Sequence, residues 1–176
     1  SLASPLDGLE PGALGASTTK RLKLLGSSAL CSAGAEAVGR ALGGVPALEA
    51  LDVSGQGLEG SFLGMWSRSW EGKLPRLAEL CLARCGLSGR DAGAGVALIL
   101  QALPSLRVLD LSENPLGSAG VLELIGGEPH LQLETLMLKG TLSNGDSSAP
   151  ALGLIAASWP KFHYLDLRDC SLSEES

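Results

Sequence analysis

The chain has 176 residues, an apolar fraction of 45% and a net charge of −6, a composition typical of a folded domain rather than a disordered segment. Aromatic residues contribute 3%, so leucine and alanine must fill most of the interior. Acidic residues outnumber basic ones, and the sequence has no stripe of Lys and Arg of the kind that nucleic-acid-binding proteins carry. No apolar stretch reaches the roughly 18 residues that a membrane-spanning helix needs. We therefore expect neither nucleic acid nor a membrane as a partner.

An apolar frame of the form LxxLxLxx(N/C/Q)xL recurs along the chain. Its copies are separated by 29, 29, 27 and 29 residues, and they begin at Leu48, Leu77, Leu106, Leu133 and Phe162. The first half of each copy alternates as a half-buried strand does, and the second half has helical spacing, as in residues 91–103. Gly60, Gly89 and Gly117 lie at the strand-to-helix corners, where glycine easily accommodates a positive φ. This period predicts a solenoid of stacked strand–helix units.

The first repeat-like segment, residues 21–42, has a clear helix but an irregular strand. Lys20 and Lys23 fall where the frame expects leucine. Either the strand slips by one residue, so that Leu22 and Leu24 face the core, or this layer is distorted. Residues 1–20 are rich in Gly, Pro and Ser, and we interpret them as a degenerate repeat or a lead-in.

Two tryptophans lie in the next helix. Trp66 and Trp70 form a single helical stripe with Phe62 and Leu74, which indicates packing between the helix and the strands. The alternative is that one tryptophan projects from the outer helical face and anchors a partner. Trp159, at the end of a later helix, is expected to pack against the following layer.

The frame that begins at Leu133 is interrupted. Thr141 and Ser143 stand where an asparagine and a leucine are expected, and residues 144–148 are a polar stretch typical of a surface loop. Such a loop is a candidate contact element, although ordinary drift of the repeat also explains it.

Two of the four cysteines, Cys85 and Cys170, occupy the asparagine position of the frame. A small, weakly polar side chain is expected there inside the turn, rather than a disulfide or a metal ligand. Internal thiols and the absence of an Asn-x-Ser/Thr sequence favour an intracellular, reducing setting, and we expect the cytoplasm.

The segments LRVLDLSENPLGSAGVLELI (106–125) and LAELCLARCGLSG (77–89) closely resemble the two alternating repeat types of ribonuclease-inhibitor-like leucine-rich-repeat proteins. The resemblance covers about residues 21–172. It implies an α/β leucine-rich-repeat solenoid, a horseshoe with parallel strands on the concave face and helices on the convex face. The repeats predict one leucine-rich-repeat domain over residues 21–176, with about five to six repeats. Because the sequence begins without a methionine and ends four residues after Leu172, where the next helix should begin, we expect it to be a fragment of a longer protein.

Chemistry-bearing motifs are missing from the sequence. There is no phosphate loop, no nucleophile elbow and no metal-ligand spacing around His130 or His163. We therefore expect no enzyme, cofactor, metal site or small-molecule substrate.

The outward-facing strand residues make the concave face the candidate partner-binding surface. Towards the C-terminal repeats this face gains Tyr and Arg, residue types that are enriched at the energetic centres of interfaces. The residues selected as partner-binding are Glu79, Arg84, Asp110, Glu113, Met137, Lys139, Tyr164, Asp166 and Arg168. Asp110 and Asp166 belong to the repeat motif itself and are in part scaffold residues.

The predicted function is a protein-protein interaction scaffold whose partner is not identified by the sequence. The resemblance leaves two alternatives: the regulatory or sensor arm of a nucleotide-binding immune-type receptor, and an activator of a Ran-type small GTPase. A purely structural spacer is a further reading of the same repeats.

Overall fold

Six short parallel strands form one sheet in a computed structural model that describes residues 18–24, 32–127, 129–142, 153 and 159–170. The strands are β1 (Arg21–Lys23), β2 (Ala50–Asp52), β3 (Glu79–Cys81), β4 (Val108–Asp110), β5 (Thr135–Met137) and β6 (Tyr164–Asp166). The helices are α1 (Ser32–Leu42), α2 (Gly60–Trp70), α3 (Gly89–Ala102) and α4 (Gly117–Ile125). Strand order follows the chain from β1 to β6, as a solenoid requires.

The sheet is held in one register by a row of leucines at the middle position of every strand. The paired residues in this row are Leu22, Leu51, Leu80, Leu109, Leu136 and Leu165. Because Leu22 pairs with Leu51, the first strand uses Leu22 and Leu24 towards the core, which was one of the two alternatives open for that segment. The predicted α/β leucine-rich-repeat solenoid is confirmed, and its sheet is open.

The helices stack on one side of the sheet, each against its neighbour in sequence. Close stacking depends on glycines: a Cβ at Gly93 would collide with the backbone carbonyl of Gly120 on the adjacent helix. Gly89 and Gly117 hold positive φ values of 63° and 64° at their corners, as predicted. Gly60 does not have a positive φ; a Cβ there would lie 2.9 Å from the Ala92 backbone, so close helix packing is the reason for glycine at this position.

Trp66 and Trp70 are both fully buried, with ring centroids 4.9 Å apart. The indole N–H of Trp66 donates to the Ala35 carbonyl at 2.7 Å, and that of Trp70 donates to the Gly39 carbonyl at 3.0 Å. These bonds tie α2 to α1, so both tryptophans belong to the core. The alternative of a tryptophan anchor on the outer helical face was wrong.

At the asparagine position of the described turns after β2 to β6, Gln56, Cys85, Asn114 and Thr141 are buried and Cys170 is partly buried. Cys85 and Cys170 occupy it as predicted, and their thiols donate to the carbonyls of Val53 at 3.3 Å and Leu138 at 3.0 Å. Thr141, which is 1% exposed, satisfies its hydroxyl locally by donating to the Leu138 carbonyl at 2.7 Å. The repeat therefore continues across this irregular frame.

Trp159 is buried and packs edge-to-face on Phe162 with ring centroids 5.6 Å apart, which confirms its predicted packing. Residues 1–17 of the predicted lead-in (1–20), Ser143 and the polar stretch 144–148 lie outside the described residues, so the expectations for them stay predictions.

Candidate functional site

The concave face consists of two parallel rows of side chains that flank the buried leucine row. Alternation along each strand turns its first and third residues to the concave face while the middle leucine points towards the core. Ala50 and Asp166 belong to these rows although both are buried. The first row is Arg21, Ala50, Glu79, Val108, Thr135 and Tyr164, and the third-position row is Lys23, Asp52, Cys81, Asp110, Met137 and Asp166. Most of these residues from β1 to β5 line a shallow groove of about 450 Å³, which we call the strand groove.

Two ion pairs lie at the N-terminal end of the strand groove. The Arg21 guanidinium reaches across β2 to Glu79 at 2.6 Å, and the Lys23 ammonium contacts Asp52 at 2.6 Å. Partial burial opposes ionisation of Asp52, but hydrogen bonds from Lys23 and Ser54 outweigh it and lower the pKa of Asp52 to about 2. The positive charges of Arg21 and Lys23 are therefore both paired with carboxylates of the same face.

Three aspartates of the third-position row have the same backbone role. In each, Oδ1 accepts the N–H of the residue two positions later, which fixes the turn after the strand. The three bonds are Ser54 to Asp52 at 2.9 Å, Ser112 to Asp110 at 2.9 Å and Arg168 to Asp166 at 3.0 Å. These carboxylates are thus in part scaffold, as the sequence motif suggested.

Asp110 differs from the other two aspartates in its charge environment. Among the residues that the structure describes, Asp110 has no ion pair, whereas Asp52 is paired with Lys23 and Asp166 with Arg168. Its Oδ2 accepts a long contact of 3.6 Å from the Cys81 thiol. Burial raises the pKa of Cys81 to about 11, so this neighbour is a neutral thiol at pH 7 and leaves the negative charge of Asp110 uncompensated.

A chain of ion pairs follows the turns at the carboxyl ends of the strands. Glu113 lies 3.7 Å from Arg84 and 3.7 Å from Lys139, and Lys139 also contacts Asp169 at 3.3 Å. Arg84, Glu113 and Asp169 all hold a positive φ, between 55° and 59°, which aims successive turns in the same direction. Glu113, Lys139 and Asp169, with Pro115, border a second groove of about 380 Å³.

On β6, Tyr164 is 50% exposed and free to contact a partner. Arg168 is occupied differently: its guanidinium nitrogens bind both Asp166 oxygens, at 2.7 to 3.1 Å. This fork, together with the Arg168 backbone N–H, lowers the pKa of Asp166 to about 2. Arg168 therefore also holds the turn of its own repeat.

The nine residues predicted for partner binding all lie on the concave side, but in three separate groups. Glu79, Asp110 and Met137 line the strand groove; Arg84, Glu113 and Lys139 form the turn edge; Tyr164, Asp166 and Arg168 belong to β6 and its turn. The prediction missed Arg21 and Lys23, which also line the strand groove. They were missed because the sequence left the register of the first strand open.

Within the described ranges, no group of three or more His, Cys, Asp or Glu side chains has the arrangement of a metal site. In the same part of the chain, no helix has both the length and the apolar character needed to cross a bilayer.

Known proteins resemble this chain through its repeats. The family model described as Leucine Rich Repeat matches residues 105–127. Ribonuclease inhibitor from Sus scrofa is 37% identical over 86 residues, covering 47% of this chain and 18% of the inhibitor. Ribonuclease inhibitor from Mus musculus is 33% identical over 97 residues, covering 53% of this chain and 21% of the inhibitor.

NACHT, LRR and PYD domains-containing protein 12 from Homo sapiens is 34% identical over 128 residues, covering 72% of this chain and 12% of that protein. The chain thus spans about a fifth or less of the length of these three relatives. The repeat frame, the six-stranded parallel ladder and these similarities together show that the chain is a leucine-rich-repeat protein of the ribonuclease-inhibitor-like type.

Proposed function

We propose that this chain is a non-enzymatic scaffold that binds a partner protein on its concave strand face. The observation that carries the proposal is the strand groove, where two rows of side chains on the concave face are fixed in register by the leucine row between them. A surface whose backbone is already ordered loses little conformational entropy on binding, so contacts made there contribute more fully to affinity. Parallel strands also place these side chains about 4.8 Å apart, which suits an extended contact area.

The partner is proposed to be met inside the cell. Cys81, Cys85 and Cys170 are free thiols, and Cys85 and Cys170 serve the repeat as hydrogen-bond donors in the turn. A reducing compartment keeps those donors intact, because oxidation of a turn thiol would remove its hydrogen bond to the preceding repeat.

A second candidate function is the regulatory or sensor arm of a larger nucleotide-binding receptor. It is favoured by the human NACHT, LRR and PYD domains-containing protein 12, whose match covers 72% of this chain. This candidate requires a nucleotide-binding domain in the same polypeptide, and the sequence of the full-length transcript tests it.

The proposed scaffold function is tested by affinity capture from cell extract with matched surface variants. Val108→Arg places a bulky charge in the strand groove, and Leu98→Arg makes the same kind of change at a residue that is 44% exposed on α3, on the convex side. We expect a partner that is retained by the wild type and by Leu98→Arg and is lost from Val108→Arg. If the three samples hold the same proteins, the concave face is not the binding surface.

Tyr164→Ala separates the β6 end of the face from the strand groove in the same experiment, because it removes an exposed ring without removing a scaffold bond. Arg168→Ala is a poorer probe. It would leave the Asp166 carboxylate, which is 5% exposed, without its ion pair, so any loss of binding could reflect a disturbed turn.

A further inference from the structure

Charges on the concave face are balanced almost completely by contacts within the chain, with one exception among the described residues. The acidic groups of this face and its turn edge have basic neighbours in the pairs Lys23–Asp52, Arg21–Glu79, Arg84–Glu113, Lys139–Asp169 and Arg168–Asp166. Asp110 has no such neighbour in the described part of the chain, although it lies within the strand groove. Its charge is therefore available to a group from outside.

The surroundings of Asp110 are apolar or weakly polar. The parallel register places Cys81 and Met137 on either side of it in the adjacent strands, and Val108 precedes it on the same face of β4. All three line the strand groove and are half-buried. A carboxylate within such a border suits a long aliphatic side chain that ends in a positive charge, because the stem packs on the apolar border while its end meets the carboxylate. Met137 can adapt its shape to such a stem.

The two oxygens of Asp110 are not equally available. Oδ1 already accepts the Ser112 backbone N–H at 2.9 Å, a bond that fixes the turn. Oδ2 has the weak Cys81 thiol donor at 3.6 Å, which an incoming ammonium can replace at little cost. One available oxygen matches the compact charge of a lysine better than the planar fork of an arginine, which binds best to two carboxylate oxygens together.

We infer that the strand groove recognises its partner through a lysine side chain, whose ammonium pairs with Asp110 Oδ2 and whose methylenes pack on Val108 and Met137. The inference rests on the proposed function, since it names the chemistry that a partner must present to that face. A polyanion such as a nucleic acid would bring phosphate oxygens against the same carboxylate, which like-charge repulsion disfavours.

The test uses the full chain and a phage-displayed library of random peptides as the probe. Peptides selected on the wild type are synthesised, and their affinities are measured by fluorescence anisotropy for the wild type and three variants. Asp110→Asn removes the charge but keeps an oxygen for the Ser112 N–H, so the turn is retained. Asp91→Asn makes the same charge change at an exposed position in the first turn of α3, and Val108→Arg blocks the strand groove.

We expect the selected peptides to share a lysine and to bind Asp110→Asn about tenfold more weakly, with less than about a twofold change for Asp91→Asn. Replacing the lysine by norleucine should cause a similar loss on the wild type and no additional loss on Asp110→Asn, as expected for a coupled pair. Arginine in place of lysine should bind more weakly than lysine. Circular dichroism and thermal unfolding check that each variant is folded.

The outcomes that contradict the inference are distinct from those that contradict the scaffold function. Peptides that are blocked by Val108→Arg but tolerate Asp110→Asn would overturn the lysine inference and leave the strand groove as a binding surface. A library that yields no binder sensitive to either Val108→Arg or Asp110→Asn would overturn both. A preference for arginine over lysine, with sensitivity to Asp110→Asn, would overturn the choice of lysine.

Discussion

Asn114 provides the sharpest test of how the repeats are held together. The residue is fully buried, and its Oδ1 accepts the backbone N–H groups of Cys85 at 2.9 Å and Leu87 at 3.1 Å. Its Nδ2 donates to the carbonyls of Leu82 and Leu111, both at 2.8 Å. A single amide thus satisfies the turn of its own repeat and the turn of the preceding one. Asn114→Ala would leave two N–H groups and two carbonyls without these partners.

A buried polar group that loses its partner costs about 1–3 kcal/mol, although relaxation and water recover part of that. We therefore expect Asn114→Ala to lower the free energy of unfolding by about 4 kcal/mol. Asn114→Cys should cost less, about 2 kcal/mol, because a thiol restores a donor but offers the two N–H groups only a weak acceptor. The Cys85 layer shows this difference, since there the Leu58 N–H donates to the Cys85 backbone carbonyl at 2.7 Å instead of to a side chain.

Urea unfolding followed by tryptophan fluorescence measures these costs, because Trp66 and Trp70 are fully buried and report on the core. Circular dichroism should give the same midpoint if the stack unfolds cooperatively. Ser88→Ala is the control: Ser88 is exposed and makes no side-chain cap bond at the start of α3, so its loss should change stability by less than about 0.5 kcal/mol. An Asn114→Ala cost below about 1 kcal/mol, or equal costs for alanine and cysteine, would refute the reasoning.

Three further experiments have definite expected outcomes. Gly93→Ala should destabilise the chain by about 2 kcal/mol or more, because its Cβ would meet a backbone carbonyl of α4. Gly64→Ala should stabilise it by about 0.5 kcal/mol, because a Cβ there would lie 3.6 Å from the Leu98 side chain. Urea unfolding measures both effects. Because Arg168 lowers the pKa of Asp166 to about 2, Asp166 stabilises the fold above pH 4, and the difference in melting temperature between wild type and Asp166→Asn should shrink between pH 4 and pH 2. Burial raises the pKa of Cys85 to about 11, so iodoacetamide at pH 8 should alkylate this thiol about 100-fold more slowly in the folded chain than in urea. Mass spectrometry locates the alkylated residue. Comparable rates in the two conditions would contradict a buried turn thiol.

Most of the fold was predictable because its determinants are local and repeated. The regular spacing of Leu51, Leu80 and Leu109 predicts which residues face the core. Parallel stacking in chain order then determines which strands are neighbours. The first strand was ambiguous for a physical reason. Lys23 sits at an outward position beside Leu22, so pattern alone could not separate a slip of one residue from a distorted layer, and the ladder to β2 was needed to decide.

The candidate site was predictable as a face but not as a set of contacts. Alternation correctly placed Tyr164 and Asp110 on the concave side, yet it carried no information about which charges neutralise one another. The pair between Arg21 and Glu79 joins residues 58 positions apart, and it passes over β2. Such pairings depend on side-chain reach across strands, which a repeat frame does not encode.

The same geometry explains why the repeat sequence predicts the fold well but does not predict the partner. Asp52, Asp110 and Asp166, and residues at the asparagine position such as Asn114, are committed to backbone hydrogen bonds. Residues with those duties must recur, and they create the recognisable frame. Side chains such as Val108 and Met137 have no bond to the scaffold to maintain, so recognition can be built at these positions without cost to the stack. The information about the partner therefore lies in the few groove residues that the repeat frame leaves unspecified. Asp110 is informative because it has both a structural and a binding role: Oδ1 accepts the turn N–H, and Oδ2 remains available to a partner.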